Sequence, residues 1–543
     1  MARLNVQAAW EHSWFFGFLL RVWEGSIFYR MVMAVVLWVR RVGPDTMTGR
    51  IWLSDWPAGA GFADSVIGRV LLGLNRWALR VTGPLSAFMA RTWESSLFVR
   101  AGAAVMRRVG PVLESSWAVQ SVLGYVGDTE LAPSENAPPR AVSPFLPMLG
   151  AVLGLLALIP SPDPGQGGLN PTILMVLGIW GVAGLWLLQK LMLRDFTWRA
   201  SSVFLPLTVF LVFAVASALM SVDRGASLQN LLLWFTAALL FFLVVNLVRN
   251  SRDVAAFMGP IMAAGVLMAL WSVYQVKVPP EVTEAWVDPE MEKGLVRTFA
   301  GMNNPNYLAL YMELFIPVVV ALWIHQPKRR LELTGIMGAM AVALLLTQSR
   351  AGWLGLAVAA VAFILLRAAR WSFLLVLGAI AVWQVLPESM IDRIRTAFDP
   401  THTSNVYRGS IRIGVLRTVR ENWLFGTGLG AKAFSDVYAT NMMAAARAAH
   451  AHHTFLEMLG ETGIFGFAAV VWTLFAALRR TIAAGVERLR SPVPAAVASA
   501  IIAVLVHGTA EHIWYNPKIL FSFWAVVGLG MGLVLGDKEG AKA

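Results

Sequence analysis

The chain has 543 residues, of which 57% are hydrophobic and only 14% charged, and its formal net charge is +12. A soluble protein of this size would carry about 25% charged residues, so the composition, with a mean hydropathy of +0.63, excludes a soluble globular protein and indicates a polytopic membrane protein. Cysteine is absent, which excludes a disulfide framework and thiol chemistry. The arginines and lysines fall mainly between apolar runs. They read as topology signals and anionic-lipid contacts rather than as a nucleic-acid footprint.

Residues 1–140 form a separate region in which every Lys/Arg-type residue is arginine. Trp10, Glu11 and Arg21 interrupt the start, so no clean apolar core of a cleavable signal peptide is present. Glu24–Arg30 resembles Glu94–Arg100, and Ser65 to Arg69 repeats the same serine–arginine spacing. The units close on Arg41-Val42-Gly43-Pro44, Arg80-Val81-Thr82-Gly83-Pro84 and Arg108-Val109-Gly110-Pro111. About three amphipathic helices lying at a bilayer interface are expected, with a single true span near 27–39 as the alternative. A linker follows around Asp128, Pro133, Pro138 and Pro139.

From 141 onward the apolar runs approach membrane length: 145–160, 171–189, 202–221, 228–247, 254–275, 305–324, 332–348, 351–367, 371–387, 453–477, 493–511 and 519–536. A crossing helix needs about 20 residues, so the expected fold is an all-α polytopic membrane protein of about twelve transmembrane helices. Residues 141–387 hold the first nine and 453–543 the last three. Basic residues cluster after the even-numbered runs, as at Lys190 and Arg194, Lys328 to Arg330, and Arg479 and Arg480. The positive-inside rule then puts both termini in the cytoplasm and the large helical loop 388–452 on the extracytoplasmic side. That loop nevertheless holds Arg408, Arg412, Arg417 and Arg420, which are expected to meet an anion.

Several groups converge on that side. Arg350 follows Thr347-Gln348-Ser349 between two close apolar runs; an arginine at the membrane edge is either a functional group or a snorkelling anchor. Arg408 and Arg412 share a helix face at i,i+4, where two guanidinium forks suit phosphate oxygens or a lipid headgroup. Asn304-Pro305-Asn306 reads as a helix cap that aims an N-terminus at an anion, with Arg297 just before it. Trp423 to Gly430 reads as a tight glycine-rich turn. His450, His452 and His453 precede an apolar run that contains Glu457 and Glu461; His507, Glu511 and His512 end another. No zinc spacing is present, and a general base is the better use of these imidazoles.

These motifs, in this order over residues 200–535, resemble the O-antigen ligase and polymerase family of bacterial membrane glycosyltransferases. The resemblance rests on Thr298-Phe299 with Asn304 to Ala309, Thr347 to Trp353, Arg408, Trp423 with Gly426 to Gly430, the His-x-His motif through Glu461 and Gly463, and His507 with Glu511. It implies a GT-C-like helical fold and a glycan donor linked to undecaprenyl diphosphate. It also implies transfer at the outer face of the cytoplasmic membrane; no cofactor is expected, and, from the absence of zinc spacing, no metal. The family's key arginines fall on Arg350 and Arg408, and its histidine on His452. Arg297, Asn304, Asn306, Arg412, His450, His453, Glu461, His507 and Glu511 are expected around the substrate. The chain departs from the family at His453, where asparagine is common, and in its region 1–140. The acceptor, whether glycan, lipid or protein, is left open, and with it the choice between ligase and polymerase. A transporter of lipid-linked glycan is the alternative of another class; it would be expected to show repeated spans with polar midplane breaks.

Overall fold

The computed structural model describes residues 142–162, 169–193, 198–199, 201–280, 296–385, 388–395, 399, 403–443, 446–486 and 491–540, with six more between 23 and 33. The repeat region expected at 1–140, with its interfacial helices and linker, otherwise lies outside the described residues. All regular structure among the described residues is helical. The helices are α1 Phe145–Leu155, α2 Pro171–Leu193, α3 Phe204–Met220, α4 Arg224–Leu247, α5 Ser251–Lys277, α6 Pro305–His325, α7 Arg330–Leu346 and α8 Arg350–Ala368. They continue with α9 Phe373–Val385, α10 Glu388–Arg395, α11 Thr403–Glu421, α12 Ala431–Asn441, α13 Thr454–Val486, α14 Val493–His507 and α15 Pro517–Gly540.

Each of the twelve apolar runs is a helix, but the expected count of twelve full spans is not reproduced. Among the described residues seven helices (α2, α4, α5, α6, α8, α13 and α15) are long and apolar enough to cross a membrane. The apolar segments Phe145–Leu158, Phe204–Met220, Ala369–Ile380 and Val493–His507 are shorter. Hydropathy counts apolar residues on either side of a helix end alike, whereas caps stop the helix. The Asp223 carboxylate accepts the Ala226 N–H at the start of α4. Asn250 and Asp253 form a reciprocal capping box at the start of α5.

Contacts between connections gather at the two ends of the bundle. At one end the Arg199 guanidinium, after α2, donates to Val245 O at 2.9 Å and Val248 O at 2.6 Å at the end of α4, and to Gly532 O of α15 at 2.8 Å. Ser251 and Ser491 meet there at 3.1 Å. At the other end Asn303, before α6, pairs with the Ser161 backbone after α1. Thr298 N–H donates to Leu346 O at the end of α7. α14 packs against α6, α8 and α13 in the middle of the bundle.

Above this second end, α11 and α12 fold as a cap over a small apolar core of Ile411, Val415, Phe434, Tyr438, Ala446 and Ala451. Phe434 and Tyr438 stack with centroids 5.4 Å apart, and the Tyr438 hydroxyl donates to Ala446 O at 2.7 Å. The glycine turn joins cap to bundle. Gly426 holds φ +73°, and a Cβ there would meet the Glu461 carbonyl at 2.3 Å. Gly463 kinks α13 at φ +65°, with the Leu424 carbonyl 2.3 Å from where its Cβ would stand. Only glycine tolerates both the dihedral and the approach.

Candidate active site

Ala451 is buried in the cap core, which fixes its neighbours His450 and His452 at the mouth of the bundle. Thr454 then starts α13 and ties it to the end of α14. Its N–H donates to Gly508 O at 2.7 Å, its hydroxyl donates to Glu511 O at 3.0 Å, and it accepts the Ile513 N–H at 3.1 Å. The turn 508–513 is thereby held beside the histidines. His452 Nδ1 lies 3.1 Å from Glu511 Oε1. Asn306 Nδ2 donates to Glu511 Oε2 at 2.9 Å, and the His512 N–H donates to Oε1 at 3.0 Å. Both carboxylate oxygens are engaged.

The electrostatics separate the three histidines. Burial pushes the Glu511 carboxyl up, but His452, through charge and hydrogen bond, with His450 and Arg408, holds it well below the usual carboxylate range. An ionised carboxylate only accepts, so the contact places a proton on His452 Nδ1. Burial pulls the His450 ring down to about 4, against the pull of Glu511. His450 is therefore neutral near pH 7. Its Nδ1 accepts the His452 N–H at 3.2 Å, and its ring lies between His452 at 4.1 Å and Tyr515 at 4.5 Å. Burial, with Arg412, also lowers His453, whose Nδ1 accepts the Leu456 N–H at 3.4 Å as a cap of α13. The His452 side chain is 26% exposed against 10% for His450. His452 is the histidine with both an orienting carboxylate and an accessible edge.

His452 holds a left-handed backbone at φ +45°. The other non-glycine residues with positive φ among those described, Ala300, Asn303 and Gln348, lie at this same end, Ala300 and Asn303 at the two ends of the short 3-10 turn Ala300–Met302. Backbone strain of this kind costs on the order of 1–3 kcal/mol each and gathers at functional sites.

Asn306 links the dyad to the arginine loops. Its Oδ1 accepts from Ser349 Oγ at 2.8 Å and from the Arg297 guanidinium at 3.4 Å. Arg297 also donates to Thr347 O at 3.2 Å. Ser349 caps α8 through the Gly352 N–H, and Arg350 is the first residue of that helix. From the cap, Arg412 donates to Thr509 O at 2.6 Å. Arg408 lies close enough to act electrostatically on Glu511, His450 and Arg412. The arrangement sets guanidinium groups beside an imidazole braced by a carboxylate.

The remaining expected residues have other partners. Asn304 caps α6, accepting the Asn306 N–H at 2.8 Å. Glu461 is buried and accepts the Gly430 N–H at 2.6 Å, bracing the glycine turn. His507 is fully buried one turn below Glu511, with Nδ1 2.7 Å from Glu313 Oε1; this geometry withholds it from substrate. Sequence reasoning passed over Tyr515 and over Glu313, whose only signal is a charged group amid apolar residues. The donor atoms of His450, His452 and Glu511, and of Glu457, Glu461 and His512, converge within 4.8 Å in each trio. The first trio is already joined by the hydrogen bonds above.

Fold and site together define a multi-pass helical membrane protein with a histidine–carboxylate dyad faced by arginines. Residues 335–471 match the family model described as O-antigen ligase. That stretch contains Arg350, Arg408, Arg412, the three histidines and Glu461, so over this quarter of the chain the protein is similar to the O-antigen ligase family. No curated protein matches the chain.

Proposed function

We propose that the protein transfers a glycan from an undecaprenyl-diphosphate-linked donor to an acceptor hydroxyl at the outer face of the cytoplasmic membrane. The observation that carries this reading is the 3.1 Å contact of His452 Nδ1 with Glu511 Oε1, with the His452 side chain partly exposed and Arg408 near enough to act on Glu511. The acceptor O–H gives its proton to His452 Nε2. The oxygen attacks the anomeric carbon as the carbon–oxygen bond to the diphosphate breaks, with inversion. Glu511 stabilises the imidazolium that forms, as carboxylates do in serine-protease triads.

Arg350 and Arg408, supported by Arg412 and Arg297, bind the diphosphate and offset the charge that develops on it as it leaves. Donors already in place at a partly dry site supply this without a metal at the reacting bond. Asn306 orients Glu511; His450 backs the His452 ring. Membrane lipid surrounds the site, and the acceptor is a glycan, lipid or protein hydroxyl.

The test is transfer by purified protein from lipid-linked donor. His452→Ala, Arg350→Ala and Arg408→Ala are expected to lose about 10²–10⁴-fold in rate; wild-type turnover in them would discard the assignment. The products left by a deletion strain separate the two activities. Long polymer retained on the lipid means ligase, and single repeat units mean polymerase.

A further inference from the structure

Glu313 and His507 are both fully buried, and their 2.7 Å contact lies inside the bundle. Burying an ionisable pair this way gains little stability over an apolar pair of similar volume, and within membrane helices such groups mark function. Neither Glu313 Oε2 nor His507 Nε2 has a hydrogen-bond partner, so satisfaction of polar groups does not account for the pair.

Its neighbours do. Glu313 lies seven residues after Asn306 on α6, two turns along the same face. The His507 carbonyl accepts the Ala510 N–H at 2.9 Å and the Glu511 N–H at 3.2 Å, so His507 anchors the turn that carries Glu511. α8 presses its glycine face onto the same carboxyl. A Cβ on Gly355 would stand 2.3 Å from Glu313 Oε2, and one on Gly352 would stand 3.2 Å from Oε1. Arg350 begins that helix two residues before Gly352. One carboxyl therefore touches the helix of Asn306, the helix of Arg350 and the histidine beneath Glu511.

Resting on the transfer reading above, we propose that Glu313 and His507 are a positioning pair that sets the depth of α8, and so of Arg350, relative to the His452–Glu511 dyad. They touch neither donor nor acceptor. They hold the anion-binding and proton-accepting halves of the site in one register.

The chain has no cysteine, so spin labels at Leu354→Cys on α8 and Thr509→Cys report that register directly. In Glu313→Leu and His507→Leu proteins the interlabel distance should shift by about 2 Å or broaden. The turnover rate should fall about 10–100-fold with little change in donor KM. Glu313→Gln, which still accepts the His507 N–H, should restore both, and the double leucine variant should be no worse than either single. An unchanged distance distribution in folded leucine variants, or losses that multiply in the double, would overturn the proposal. Should the leucine variants fail to fold, Gly355→Ala is read the same way, and wild-type distance and rate there overturn it too. The distance needs no glycan donor. A shift in a protein that transfers nothing would refute the transfer reading while leaving the hold of the pair on α8 intact.

Discussion

Asn306 and Glu511 are 205 residues apart in the chain, yet the Asn306 amide donates to Glu511 Oε2 at 2.9 Å. The same amide accepts from Ser349, the residue before Arg350. Asn306→Asp replaces the donor with a second carboxylate facing the first. It is expected to lower transfer by about 10–100-fold by disturbing the charge and orientation of Glu511. Steady-state kinetics of Asn306→Asp against Asn306→Ala check this, and equal rates in both and in the wild type would refute it.

Glu511→Gln keeps the size of the side chain but removes the charge that supports the His452 imidazolium. The expected loss in turnover is about 10²–10⁴-fold, with donor affinity largely kept. Donor binding measured alongside turnover separates the two effects.

Arg408→Lys retains the charge but not the fork. If the side chain grips two phosphate oxygens, lysine restores little of what Arg408→Ala loses, and the same holds at Arg350. Full activity in the lysine variants would mean that these positions supply only a point charge.

Acid should destabilise the fold through His450. Its folded-state value is lowered to about 4, against about 6.5 in the unfolded chain. Between those values the unfolded chain binds more protons, so stability falls as pH drops from 6.5 toward 4, by about 3 kcal/mol at most. Glu511 works in the same direction further down. Its folded value is depressed, so its contribution is present above the unfolded carboxylate value and is lost as pH falls through the folded one. Thermal unfolding across pH 7 to 4 should show the His450 slope, and His450→Phe should flatten it.

Gly463→Ala should destabilise the protein by about 1–3 kcal/mol or more, because it combines a positive φ with a Cβ 2.3 Å from Leu424 O. An unchanged unfolding temperature in detergent would refute this.

Hydropathy located every apolar helix, because burial in lipid or in the bundle demands the same residues. It did not locate their ends. Val493–His507 stops at Gly508, short of the expected end at 511. Arg350, Arg408 and the histidines were legible because charged and titratable groups at the edge of apolar runs stand out. Their pairing was not, since sequence distance says nothing of which loops meet. Asn306 read as part of a helix start, and its link to Glu511 exists only in three dimensions. His507 read as a neighbour of Glu511 on one helix end; helical periodicity alone could not reveal that Glu313 waits on another helix to bury it.

The dyad is stapled into the bundle by Thr454 and Asn306, whereas Arg408 and Arg412 ride on a cap with its own small core. The cap guanidinium groups of the proposed anion site and the His452–Glu511 dyad thus belong to different packing units, joined where Ala451 enters the cap core. Any movement of the segment 403–443 against the bundle would change the spacing between those guanidinium groups and the dyad.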